Sequence, residues 1–267
     1  MHNLYSRVVA QLRSLAFSRS TRLALERRRL LRMPRHESGA TIYPFGIELT
    51  FPDAASYLAM AGDICEREVY RFEATHPDPN IIDAGANVGI SVAYFKSIYP
   101  RAQIVAYEAD PVIFRYLEAN IKSLGFRDVR LENVAVATVD GETLFHREGS
   151  DAGRIAKPKD PSPIAVPTRR LRNAISGPVD LLKLDVEGAE TEILCDCAGV
   201  LHWVSNIFVE YHGFADEPQR LPELLSLLRD CGFRYWIDAA VKQEHPLCGV
   251  QAYLGMDLQL NVFARRV

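Results

Sequence analysis

Five polar side chains, Lys183, Asp185, Glu187, Glu210 and His212, fall in two short clusters that each end an apolar run. Val179-Asp-Leu-Leu-Lys-Leu-Asp185 and Asn206-Ile-Phe-Val-Glu-Tyr-His212 both read as buried strands. At a side-chain period of two, Lys183 shares a face with Asp185 and Glu210 shares one with His212, while Glu187 lies just past the first strand's tip. Carboxylates and an imidazole gathered in this way can remove a proton from a hydroxyl as it attacks an electrophile. An unperturbed imidazole titrates near about pH 6.5. That makes His212 the favoured general base, with Glu187 competing and Asp185 the first choice for touching both cofactor and acceptor. Asp185, Glu187, Glu210 and His212 would also suit Mg2+ or Mn2+, although their spacing matches no specific metal motif. The plainer alternative is a salt-bridge network around Lys183. Glu190 reads as a carboxylate in the first turn of the following helix, where it favours the helix dipole.

A second cluster precedes these in the chain. Residues 81 to 95, Ile-Ile-Asp-Ala-Gly-Ala-Asn-Val-Gly-Ile-Ser-Val-Ala-Tyr-Phe, read as a buried strand, a tight loop and a helix. Gly85 lets the backbone turn sharply, Gly89 lets the helix start lie close to a ligand, and N–H groups of the turn are expected to serve as donors. Glu108 ends a further apolar run, where a carboxylate can accept two hydrogen bonds from a ribose diol. The complete G-x-G-x-x-G pattern is missing, because Ala-Asn-Val separates Gly85 from Gly89. An adenosine ligand without phosphates therefore fits better than NAD.

Asp83-Ala-Gly-Ala-Asn-Val-Gly89, then Glu108, then Lys183-Leu-Asp-Val-Glu-Gly-Ala-Glu190 together resemble the FkbM-type family of S-adenosylmethionine-dependent methyltransferases. The likeness covers roughly residues 60 to 265. It implies an α/β fold of the class I methyltransferase type, Rossmann-like, with a seven-stranded mostly parallel sheet, helices on both faces and the last strand antiparallel between its neighbours. It also implies S-adenosylmethionine as cofactor, held by Asp83, Gly85, Asn87, Gly89, Glu108, Ala109, Val134 and Asp185, beside the catalytic set Asp185, Glu187 and His212 read from the strand ends. The expected reaction is methyl transfer to a hydroxyl, of a sugar in a glycan or glycolipid ahead of a small secondary metabolite. Glu108 is followed by Ala109-Asp110-Pro111, whereas proline often comes sooner in the family. Two readings from other classes are an NAD-dependent oxidoreductase and a non-catalytic S-adenosylmethionine-binding scaffold.

The elements that must position these groups follow from periodicity. From residue 81 onward strand and helix alternate, which predicts a parallel sheet covered on both faces. Strands are expected near 80–84, 103–108, 129–134, 179–185, 206–212, 233–238 and 257–264, and helices near 88–99, 111–124, from 188 and 218–231. Pro111 suits the first turn of its helix and Gly125 the end. Gly85, Glu108, residues 133–135 and Asp185 fall at strand carboxyl ends, where ligands of such sheets bind. Residues 140–170 break the rhythm and read as a hairpin with a mobile loop, whose Arg154, Lys157 and Lys159 could meet an acidic substrate.

Three regions are expected: a basic amphipathic helical extension over 1–35, a cap of hairpin and helix over 36–78, and the cofactor-binding domain over 79–267. Residues 40–52 form the hairpin and Asp63 to Ala74 the helix of the cap, which the family resemblance would place as a lid over the cofactor edge. Residues 1–35 carry nine arginines against Glu26, a charge of +8 that leaves the remainder at −11 within a total of −3. Such a helix packs on its own domain or a second subunit, or lies on an anionic membrane surface. Nucleic acid is not expected as a partner, because the rest of the chain is acidic.

At 267 residues, 48% hydrophobic and 24% charged, the chain can bury a substantial core. Its five cysteines, at 65, 195, 197, 231 and 248, show no paired C-x-x-C spacing and suggest structural thiols in a reducing compartment. No apolar stretch reaches a membrane span's length of ~18 residues. The expected location is the cytoplasm, with peripheral contact to the inner face of the membrane as an option.

Overall fold

The computed structural model describes residues 19–149, 153–157, 160–250 and 252–266. Helix α1 (Arg19–Leu30) turns Leu30 fully into the core and leaves most of its arginines outward. The earlier part of the expected extension, with Arg7 and Arg13, lies outside the described residues, as does Lys159. Strands β1 (Gly39–Thr41) and β2 (Leu49–Phe51) pair antiparallel as the hairpin expected apart from the main sheet.

The cap helix differs from expectation. Helix α2 runs over Ala54–Ala61, capped by Asp53, whose carboxylate accepts the Ser56 N–H at 2.8 Å. It passes into a π turn over Gly62–Glu66, and residues 67–79 form neither helix nor strand. Asp63, taken as the opening of a helix, instead lies in the π turn that follows α2, because Asp53 provides the cap ten positions earlier.

The central sheet is built in chain order from β3 (Asn80–Ala84), helix α3 (Ile90–Ile98), β4 (Gln103–Tyr107), helix α4 (Pro111–Leu124) and β5 (Val129–Glu132). Asp110 accepts the Val112 N–H at 2.7 Å to start α4, and Gly125, at φ +71°, ends it. A second, four-stranded sheet then interrupts: β6 (Ala135–Ala137), β7 (Gly141–His146), β8 (Arg154–Ile155) and β9 (Ile164–Arg170), in the order β6-β9-β7-β8. The stretch read as a mobile loop thus contains β8, paired with the end of β7. Asp160 anchors it by accepting from Arg154 at 2.5 and 2.7 Å.

The short helix α5 (Leu171–Ala174) leads back to β10 (Val179–Leu184), followed by helix α6 (Glu190–Cys197), β11 (Val204–Phe214), helix α7 (Leu221–Asp230), β12 (Phe233–Ala239) and β13 (Met256–Arg266). The seven strands order as β12-β13-β11-β10-β3-β4-β5, with β13 antiparallel to both neighbours, as the resemblance implied. All six residues of β10 are buried, since its central place leaves neither face open. Ile81 and Leu181 point to the core formed with α1 to α4, Ile82 and Leu182 to the one formed with α5 to α7. The five cysteines are free thiols.

Candidate functional site

The carboxyl ends of β3, β4, β10 and β11 converge on a cavity of 340 Å³. One end is shaped by the β3–α3 turn. Gly85 stands at φ +90°, and a Cβ there would lie 1.9 Å from the Asp185 carbonyl oxygen. The glycine is therefore required by the neighbouring strand's backbone as well as by the turn. Gly89, at φ +89°, caps α3, and a Cβ on it would meet Leu117 Cδ1 at 2.8 Å. Its role is packing of α3 on α4; it does not line the cavity, contrary to the expectation that it approaches a ligand.

The N–H groups of this turn are used internally. Gly85 and Ala86 donate to the Tyr107 carbonyl at 3.0 and 2.9 Å, and Gly89 donates to the Ala86 carbonyl at 2.9 Å. Asn87 donates to Glu108 Oε2 at 3.0 Å and Val88 to Asn87 Oδ1 at 2.7 Å. The expected row of open donors is thus absent from residues 85–89, and with it the cradle a pyrophosphate needs.

Glu108 lies at the end of β4, 9% exposed, and also accepts the Asp110 N–H at 2.8 Å through Oε1. Burial pushes its carboxyl up to about 7, and the two N–H bonds work against that rise. Asn133 ties the loop after it by donating to the carbonyls of Glu108 and Ala109 at 2.8 and 3.2 Å. Gly85, Asn87, Glu108, Ala109 and Val134 all line the cavity. Asp83 does not. It is fully buried, accepts from the Ser91 hydroxyl at 2.6 Å and lies 3.4 Å from Lys183 Nζ, so it braces β3 against α3 and β10.

Lys183 is the hinge of the other end. Its buried Nζ donates to the Gly85 carbonyl at 2.5 Å and lies 3.2 Å from Asp185 Oδ2. Burial opposes its charge, but Asp185, Tyr70 and Asp83 together hold it well above the ordinary lysine range. The salt-bridge network expected as an alternative is therefore real and coexists with the cavity.

Asp185, Glu187 and Glu210 line the cavity beyond Lys183, whereas His212 lies behind them with its side chain fully buried. Its Nδ1 donates to Glu190 Oε1 at 2.9 Å, and its Nε2 lies 3.5 Å from Glu187 Oε2 and 3.7 Å from Glu210 Oε1. Burial disfavours the charged ring, yet Glu187 and Glu190 raise its pKa well above the usual value. The expectation of an unperturbed imidazole acting directly on an acceptor is corrected on both counts. Burial likewise drives the carboxyls of Glu187 and Glu210 upward.

Glu190 does start α6, but its buried carboxylate also accepts the N–H groups of Gly188 at 2.8 Å and Val186 at 3.3 Å, fixing the loop and the ring together. The dipole reading missed that second task, which depends on a residue 22 positions away. Met60, Ile64 and Tyr70 from the cap and Val241 and Tyr253 from the β12–β13 connection complete the walls. Their irregular spacing carries no sequence signal. Arg154 and Lys157 are engaged elsewhere, with Asp160 and with Asp216 and Glu217, which leaves little of the substrate-greeting role expected of them.

Residues 83–235 match the family model described as the methyltransferase FkbM domain. A protein of Sinorhizobium fredii named 2-O-methyltransferase NoeI is 31% identical over 157 residues, covering 51% of this chain and 64% of that one. The chain thus spans just under two thirds of that relative. Methyltransferase 1 of Beauveria bassiana is 30% identical over 204 residues, 65% of this chain and 77% of its own. A solved structure of the methyltransferase FkbM from Methylobacillus flagellatus aligns with a TM-score of 0.46 at 12% identity, over 79% of this chain and 53% of that one.

Proposed function

The chain belongs to the FkbM family of S-adenosylmethionine-dependent methyltransferases, and from that premise we propose that it methylates a hydroxyl group, most readily one on a sugar of a glycan or glycolipid. The observation that carries this reading is the division of the cavity. One end offers Asn87 and Glu108 beside the strand tips, the other gathers Glu187 and Glu210 beneath apolar walls, and Asp185 lies between them.

The residues at the first end fit a nucleoside without phosphates. Glu108 presents a carboxylate for ribose hydroxyls, and the turn's N–H groups are already satisfied, which suits adenosine and disfavours the pyrophosphate of NAD. When bound, S-adenosylmethionine supplies a methyl group on a sulfonium. What the chain contributes is placement, worth about 7–11 kcal/mol of barrier when reacting atoms are aligned. Asp185, paired with Lys183, stands between the two ends and orients the groups that meet there.

At the second end Glu210 is the proton acceptor. It faces the cavity and is the most exposed of the converging glutamates, at 26% against 15% for Glu187 and 1% for Glu190. Its raised pKa places a base close to neutral conditions, where proton transfer is most effective. Glu187 holds the acceptor beside it, and His212, locked by Glu190, lies behind both carboxylates at 3.5 and 3.7 Å. Several carboxylates side by side favour an acceptor rich in hydroxyl donors, and the apolar side chains of Met60, Ile64 and Tyr253 suit the carbon face of a sugar ring. The 2-O-methyltransferase name of one relative is in keeping with an oxygen acceptor.

The test combines calorimetric titration with S-adenosylhomocysteine and a labelled-methyl transfer assay over free and lipid-linked sugars. Glu210→Gln is expected to bind S-adenosylhomocysteine like the parent and to lower kcat about 10²- to 10⁴-fold. Full turnover by that variant sinks the assignment of the base. Transfer confined to nitrogen or carbon acceptors overturns the hydroxyl reading.

A further inference from the structure

We propose that Asp185, Glu187 and His212 form a binding site for one divalent cation of the Mg2+ or Mn2+ type. One ligand atom from each can be chosen so that all lie within 4.8 Å of one another. An octahedral shell at about 2.1 Å places its ligand atoms roughly 3.0 to 4.2 Å apart, so side chains up to 4.8 Å apart must draw inward for the set to close on an ion. Three oxygens or nitrogens of this kind, hard apart from a single imidazole, match the preference of these ions.

His212 distinguishes this cluster from an ordinary group of acids. His212 Nε2 is buried and makes no hydrogen bond. Glu187 Oε2 and Glu210 Oε1 face it from 3.5 and 3.7 Å, too far or too poorly aligned to satisfy it. A buried ring nitrogen left without a partner is costly, and a cation between it and the carboxylates would satisfy it. The opposite nitrogen is already fixed, with Nδ1 donating to the Glu190 carboxylate at 2.9 Å. With Nδ1 held by that carboxylate, Nε2 is the nitrogen left for a metal, which would take the place of the proton on Nε2.

Lys183 leaves room for this. It faces Asp185 Oδ2 at 3.2 Å, and a carboxylate has a second oxygen to offer. Asp185 and Glu187 both line the cavity, so the ion would be reachable from it and open to a further ligand. Its use, holding and acidifying an acceptor hydroxyl next to Glu210, rests on the hydroxyl-methylation reading, whereas its binding does not.

The experiment is an electron paramagnetic resonance titration of the full chain, freed of metal by chelation, with Mn2+ as the probe. One bound Mn2+ per chain, displaced by excess Mg2+, is the expected result. His212→Gln and Glu187→Gln should each weaken binding by at least about 100-fold. Glu190→Gln, which leaves the three ligands in place but changes the group that orients the ring and the 186–188 loop, should weaken it about 10- to 100-fold. Near-ultraviolet circular dichroism and S-adenosylhomocysteine titration of each variant confirm an intact fold. A spectrum of free Mn2+ at every protein concentration, with S-adenosylhomocysteine still bound, overturns the cation site and leaves the methyltransferase reading standing. Mn2+ binding unaffected by both His212→Gln and Glu187→Gln overturns it as well. Mn2+ bound through these residues with no methyl transfer to any hydroxyl supports the site and removes only the use given to it.

Discussion

As the proposed partner of the ribose hydroxyls, Glu108 would couple cofactor binding to pH. Its two oxygens each accept one backbone N–H, from Asn87 and Asp110, and retain lone pairs toward the cavity. Burial has raised its pKa to about 7. Ribose hydroxyls favour the ionised form, so protonation of the free protein competes with binding. S-adenosylhomocysteine affinity should therefore rise as pH climbs toward about 7 and level off above it. Calorimetry from about pH 5.5 to 8.5 reads this directly, and a flat profile contradicts the assignment. Glu108→Gln should remove the pH dependence and weaken binding about 10- to 100-fold, the equivalent of a hydrogen bond to a charged group.

At the scale of elements, the site depends on how closely β3 approaches β10. Asp185 donates its N–H to the Ala84 carbonyl at 3.1 Å, and its own carbonyl occupies the space where a Gly85 side chain would be. Lys183 crosses from β10 to the Gly85 carbonyl and to Asp83, pinning the turn from beneath. Gly85→Ala would combine a left-handed backbone, unfavourable by about 1–2 kcal/mol for a residue with a Cβ, with a backbone clash. The expected outcome is a loss of at least ~2 kcal/mol in stability together with loss of S-adenosylhomocysteine binding, because Asp185 must move. A parent-like melting temperature and affinity for this variant would contradict the close-approach account.

On the scale of the whole molecule, the cavity is a joint between the sheet and the segment before it. The cap contributes Met60, Ile64 and Tyr70 to its wall, and α1 holds that cap through Leu30, 1% exposed, and through Arg27 paired with Glu66 at 3.3 Å. The described part of the basic helix therefore packs on its own domain. Leu30→Ala should cost about 2–5 kcal/mol, seen as a melting temperature roughly 5–15 °C lower by calorimetry. Arg27→Ala, at an exposed pair, should change stability by less than about 1 kcal/mol. No helix among the described residues is long and apolar enough to cross a membrane.

The sequence by itself determined the parts whose cause is local or periodic. Alternating apolar runs gave the parallel sheet and its helices, Pro111 and Gly125 bounded α4, and Gly85, Glu108 and Asp185, singled out at strand ends, all line the cavity. Family resemblance added the antiparallel β13 and the chemistry. Tertiary structure decided what depends on distance in space. Whether Asp83 faces a ligand or a lysine, whether Gly89 serves a ligand or Leu117, and whether His212 stands free or behind Glu187 and Glu210 are set by strand register and by the twist of neighbouring chain segments. Residue type fixes what a group can do, but its pKa and its reach follow from burial and from neighbours far away in the chain. For that reason the same histidine reads as an ordinary base in the sequence and, in the fold, as a buried ring held by Glu190.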